Sequence, residues 1–80
     1  MDFAAGPPSK FVLTLNDGSE VEIWADGYSE ESGFFVFSTL VDASAKEQEL
    51  LEVTGQTPSN PARVIITVAR VPTSAVRGGL

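Results

Sequence analysis

Phe11-Val12-Leu13-Thr14-Leu15, then Asn16-Asp17-Gly18, then Ser19-Glu20-Val21-Glu22-Ile23-Trp24-Ala25 is the stretch that decides how this chain folds. Phe11, Leu13 and Leu15 alternate with Val12 and Thr14, and Val21, Ile23 and Ala25 alternate with Glu20, Glu22 and Trp24. A period of two on both sides of a polar centre predicts a β-hairpin. Parity then selects the loop. A two-residue loop at Asp17-Gly18 would pair Leu15 with Glu20 and Leu13 with Glu22, mixing apolar side chains and carboxylates on one face. A three-residue loop, Asn16-Asp17-Gly18, pairs Leu15 with Ser19, Leu13 with Val21 and Phe11 with Ile23. Gly18 then takes the left-handed position of a type I turn with a G1 bulge. That register collects Phe11, Leu13, Val21, Ile23 and Ala25 on an inner face. It sends Thr14 opposite Glu20, Val12 opposite Glu22, and Trp24 beside Lys10 on the outer face.

Further along, residues 33–41 (Gly-Phe-Phe-Val-Phe-Ser-Thr-Leu-Val) and 63–71 (Arg-Val-Ile-Ile-Thr-Val-Ala-Arg-Val) read as two more strands, apolar on both faces. Such strands predict a sheet covered on both sides or curled into a barrel. Asp26 to Ser32 reads as a polar turn. Ser44-Ala45-Lys46-Glu47 has the form of a capping box, so a short helix is expected at about 45–53, with a fifth strand at Leu50 to Thr54 as the alternative. Pro72 ends the last long strand, and residues 72–76 suit one tight turn. The expected fold is mainly β, a small antiparallel sheet or open barrel of four to five strands near 10–15, 19–26, 33–41 and 63–71. Strand order and length resemble small SH3-like or Sm-like barrels. Residues 1–9, ending Gly6-Pro7-Pro8-Ser9, read as a flexible or polyproline-like leader, 10–76 as one domain, and 77–80 as a frayed tail.

Charge is segregated along the 80 residues: 1–16 are neutral, 17–52 carry minus nine, and 53–80 carry plus three, for a net charge of −6. A basic groove for phosphate is missing, and carboxylates surround the aromatic set Trp24, Tyr28, Phe34, Phe35 and Phe37. Gly33-Phe34-Phe35-Val36-Phe37 resembles a cold-shock strand in pattern, yet Glu20, Glu22, Asp26, Glu30 and Glu31 would repel a nucleic-acid backbone. The oxygen-rich segments 16–20 and 26–31 lack the spacing of a calcium loop. Neither cysteine nor histidine occurs, which excludes a Ser-His-Asp triad, a thiol mechanism and the usual zinc sites. No metal or other cofactor is therefore expected, and the reading is of a non-enzyme. Without cysteine, signal peptide or apolar run of membrane-spanning length, the expected location is cytoplasmic. Arg77-Gly78-Gly79 resembles the carboxyl terminus of ubiquitin-like modifiers, but a β-grasp places its helix directly after the first hairpin, where a strand stands here.

These exclusions leave a non-catalytic protein-interaction module as the expected function. Trp24, Glu20, Glu22 and Tyr28 are the candidate contacts, because exposed tryptophan is a frequent interface anchor. Arg70 and Arg77 form a possible second, basic patch. Two alternatives follow from the same residues. One is an acidic inhibitor or immunity-type protein whose carboxylate face blocks a basic site. The other is a self-associating structural domain, with Val64 to Val68 pairing across a dimer axis.

Overall fold

The computed structural model describes residues 2–4 and 6–78. Its strands are β1 (Asp2–Phe3), β2 (Ser9–Thr14), β3 (Glu20–Ala25), β4 (Gly27–Glu31), β5 (Phe34–Asp42), β6 (Val53–Thr57) and β7 (Asn60–Pro72); one short helix, α1 (Ala45–Gln48), lies between β5 and β6. A single 3-10 turn, Thr73–Ala75, follows β7. The strands make a five-stranded antiparallel sheet, with β5 and β7 at its centre, and a separate two-stranded sheet of β2 and β3. The expected β-rich architecture holds, and among the described residues the sheets do not close into a barrel.

The hairpin adopts the three-residue register: Lys10 lies opposite Trp24, Phe11 opposite Ile23, Val12 opposite Glu22, Leu13 opposite Val21 and Thr14 opposite Glu20. At its turn, Leu15 N–H donates to the Ser19 carbonyl at 2.8 Å, and Gly18 has φ of 89°, the left-handed value the bulge requires. Asp17 stabilises that turn. Its carboxylate accepts the Ser19 hydroxyl at 2.6 Å and the Ser19 N–H at 2.9 Å, which together hold its pKa below the ordinary value of 3.8.

Leu13, Ile23 and Ala25 from the hairpin pack on Phe35 and Phe37 of the large sheet, with Val76 beside them. Val21 shares their strand face but is exposed, because it lies next to the hairpin tip. Farther along the same face of β5, Val41, Ala43, Val64 and Ile66 form a second cluster under Leu51. One face of the large sheet is therefore covered twice, by the hairpin at one end and by the segment after α1 at the other.

Three segments depart from the sequence reading. The first is Asp26 to Ser32, expected as a turn, in which Gly27–Glu31 forms β4 and pairs with Phe34 to Ser38. Only Tyr28 in β4 is a large apolar residue, so no alternation announced the strand, and backbone pairing to β5 alone defines it. The β4–β5 turn is Ser32-Gly33, with φ of 52° and 82°, the type I′ pattern. Serine is strained there, so Ser32→Asn is expected to raise stability by about 0.5–1 kcal/mol, read from urea denaturation midpoints.

The second is α1, which stops at Gln48 although its capping box forms as expected, the Ser44 hydroxyl accepting Glu47 N–H at 3.2 Å. The chain is needed elsewhere. Leu51 covers the second cluster, and the Glu52 carbonyl accepts Thr67 N–H at 3.0 Å, which starts the β6 pairing. The two readings of 44–54 thus each hold in part, helix to Gln48 and strand from Val53.

The third is the leader: Asp2 and Phe3 pair with Asp42 and Val41. Between β4 and β1, the outer edge of β5 is completed by Asp26, whose carboxylate accepts Leu40 N–H at 2.8 Å while its own N–H donates to Ser38 at 2.9 Å. The chain changes sheets at this residue. At the other end, Arg77 N–H donates to the Thr14 carbonyl at 2.8 Å, which ties the start of the expected tail to β2; residues 79–80, with the second glycine of the Gly-Gly pair, lie outside the described residues.

Candidate interaction surfaces

Two outer faces result from this packing. Because Ile23 and Ala25 point inward, Trp24 points outward from the hairpin and is 56% exposed. Val12, 44% exposed, stands on the same face one position along the neighbouring strand, with Lys10 opposite Trp24 and Glu22 opposite Val12. Thr14 and Glu20 continue the face toward the tip. Three of the expected contacts, Trp24, Glu20 and Glu22, are therefore gathered on one surface. No described residue covers it.

Tyr28 lies elsewhere. It pairs with Phe37 on the covered face of the large sheet, and its ring stands edge-on to Phe11 at 5.7 Å and to Phe35 at 6.2 Å. Half of it remains exposed, because it fills the margin between the two sheets. Sequence spacing put Tyr28 near Trp24, and the change of sheet at Asp26 separates them.

Arg70 and Arg77, expected as a basic patch, each make a contact of their own. Arg70 pairs with Glu52 on the uncovered face of the large sheet, opposite to Ala69 and Val71, which pack on the core. Arg77 donates from its guanidinium to the Asn16 carbonyl at 2.7 Å, at the turn of the hairpin. The two charges serve separate structural contacts.

The other face of the large sheet carries Phe34, Val36 and Leu40 from β5 and Ile65 from β7; Val36 is buried there among its sheet neighbours, while Phe34 and Ile65 are exposed. The second layer expected over these two-faced strands is not supplied by the described residues, since Phe34 and Ile65 stay exposed. A cleft of about 510 Å³ opens here, lined by Glu31, Phe34, Val36, Thr54, Thr67 and Arg70 among others. Its volume lies within the range of small-molecule sites, but most of its lining is hydroxyl or charged, and Phe34 and Val36 are its only large apolar groups.

Of Val64 to Val68, expected to pair across a dimer axis, Val64 to Ile66 is an interior stretch, because β7 runs between β5 and β6 there. Its inward residues are needed for the second cluster. No cluster of three or more acidic side chains suited to a metal ion occurs among the described residues, and no helix among them is long and apolar enough to cross a membrane. No protein family, curated protein or solved structure matches the chain.

Proposed function

We propose that the chain is a non-catalytic protein-interaction module that takes a basic partner on the outer face of its first hairpin, with Trp24 as the anchor. The observation that carries this reading is the exposure of the sole tryptophan on a face that nothing in the described chain covers. An indole placed in water loses the apolar burial its size would provide, and a partner surface restores it. Val12 enlarges the apolar contact, and Glu20 and Glu22 stand beside it without an ion-pair partner among the described residues. Together with the net charge of −6, those carboxylates favour a partner of opposite sign. The path from β2 through the bend at Asp26 to β7, with Val76 returning to Leu15, supports reading the fold as an SH3-like open barrel.

Affinity capture from native lysate with wild type and Trp24→Ala, each at low and high salt, tests the proposal. Retained partners should fall at least about tenfold in Trp24→Ala while far-UV circular dichroism is unchanged, as expected for an interface anchor. Unchanged capture by Trp24→Ala would overturn it. The same experiment separates the inhibitor reading, which the unpaired Glu20 and Glu22 favour: capture that is lost at high salt in wild type, and insensitive to Trp24, belongs to the carboxylates.

A further inference from the structure

We propose that two copies of the chain associate by antiparallel pairing of β2 with β2, about a twofold axis at Phe11. The inference goes beyond the Trp24 reading and uses the strand edge in place of the face. It begins with the direction of backbone groups. Leu15 N–H points to β3, where it meets the Ser19 carbonyl, whereas the Thr14 carbonyl and Asn16 N–H point away and bond to Arg77 N–H and the Ala75 carbonyl. Directions alternate along a strand, so the N–H and C=O of Lys10 and Val12 also point away from β3. Among the described residues the ladder begun by Ala75 and Arg77 reaches Thr14, and beyond it none of them bonds to these groups.

Other free edges carry features that block pairing: β6, the last strand of the large sheet, is interrupted by register shifts at Val53/Gly55 and Gln56/Thr57 and runs into Pro58. β7 beyond Thr67 has a bulge between its pairings with Phe37 and Ser38, then Arg70 and Pro72. The outer edge of β3 carries Glu20 and Glu22, and β4 ends in Glu30 and Glu31. β2 from Ser9 to Leu13 has neither proline nor bulge, and Lys10 is its only charge. Edges of that kind are templates for another strand.

The free length also selects the register. With Phe11 opposite the partner's Phe11, Lys10 meets the partner's Val12 and Ser9 meets the partner's Leu13, so both N–H···O bonds form at each Lys10–Val12 pair. Moving the axis to Val12 would bring Lys10 to the partner's Thr14, whose carbonyl is already taken by Arg77. Moving it to Lys10 would oppose two ammonium groups. In the chosen register Lys10 shares a cross-strand row with the partner's Glu22, because Glu22 stands opposite Val12. Phe11 is a non-hydrogen-bonded pair, the closer kind, so the two rings meet beside the half-exposed Tyr28 that each already touches. A second copy thereby matches this edge in length, hydrogen bonding and charge.

So short a junction is smaller than the standard interface of about 1,600 Å², and a dissociation constant of about 10–100 micromolar is expected. Two chains of net charge −6 repel, so association should tighten as salt rises. Sedimentation equilibrium at concentrations up to about 1 mM, at low and high salt, should show the 8.5 kDa chain passing to twice that mass. Val12→Pro removes a donor that β3 does not use, so the hairpin is retained and the dimer is lost. Should Val12→Pro fail to fold, Lys10→Glu decides, since it sets a carboxylate in line with the partner's Glu22 and should weaken association about tenfold. Trp24→Ala should dimerise as wild type. A wild-type chain that stays monomeric throughout, or a folded Val12→Pro or Lys10→Glu that dimerises normally, overturns the proposal. Loss of the dimer in Trp24→Ala would do the same, by moving the junction to the hairpin face.

Discussion

Replacing Phe37 with alanine should lower the free energy of unfolding by about 3–5 kcal/mol, a shift large enough to move the urea midpoint far down. The side chain is fully buried and lies where the hairpin meets the large sheet. Its ring packs at 5.4 Å from Phe11 and 5.7 Å from Tyr28, so truncation removes a large apolar surface and two aromatic contacts at once. Collapse cannot refill the space cheaply, because Phe37 is held between β4 and β7 by backbone pairing on both sides. The whole domain has on the order of 4–12 kcal/mol of stability at the usual figure per residue, so the loss is a large share of it. Urea titration followed by Trp24 fluorescence and by far-UV circular dichroism measures this. Phe37→Leu should recover part of the loss by retaining branched volume. A change under about 1 kcal/mol for Phe37→Ala would mean that the two sheets do not depend on each other.

Thr39→Val should act in the opposite direction and raise stability by about 1–3 kcal/mol, the usual cost of an unmet buried polar group. Thr39 is 1% exposed, and its hydroxyl has no hydrogen-bond partner among the described residues. It sits on the covered face of β5 between Phe37 of one cluster and Val41 of the other, opposite Ile66. Valine keeps the branched shape and removes the stranded oxygen, joining the two clusters into one apolar seam. Thermal unfolding should move up by about 4–8 °C for each kcal/mol gained in a domain of this size. Thr39→Ala supplies the control, because it removes a methyl group along with the hydroxyl and should destabilise. A lower melting temperature for Thr39→Val would mean that the oxygen is satisfied in solution.

Much of the fold is legible along the chain, and the reasons are local. The parity of Leu13, Leu15, Glu20 and Glu22 allows one hairpin register, and that register places Val12 and Trp24 outward and Leu13 and Ile23 inward, as the structure has them. The capping box at Ser44 and Glu47 likewise reads directly as a helix start. β4 and β6 are not legible in this way. Gly27–Glu31 and Val53–Thr57 contain few large apolar residues, and each is a strand because a neighbour in β5 or β7 offers it a ladder. Sheet membership is equally invisible in sequence. Asp26 turns the chain from one sheet to the other, and with it Tyr28 leaves the face on which Trp24 stands.

The charge pattern has a similar division. Acids cluster before residue 53 and arginines after it, yet Arg63 meets Asp42 and Arg70 meets Glu52 only because β7 lies between β5 and β6. Both pairs are still close to half exposed, so they contribute little to stability, but each ties an arginine to a carboxylate of a neighbouring segment.

By itself the sequence determined a β-rich chain, the register of its first hairpin and an outward tryptophan, since these follow from side-chain alternation and turn chemistry between near neighbours. Only the tertiary structure decided which strands share a sheet, which face of β5 and β7 the hairpin covers, and that the edge of β2 turned away from β3 meets no described residue from Ser9 to Leu13. Those are settled by pairings between residues far apart in the chain, and hydrogen bonds between backbones leave no mark on side-chain pattern.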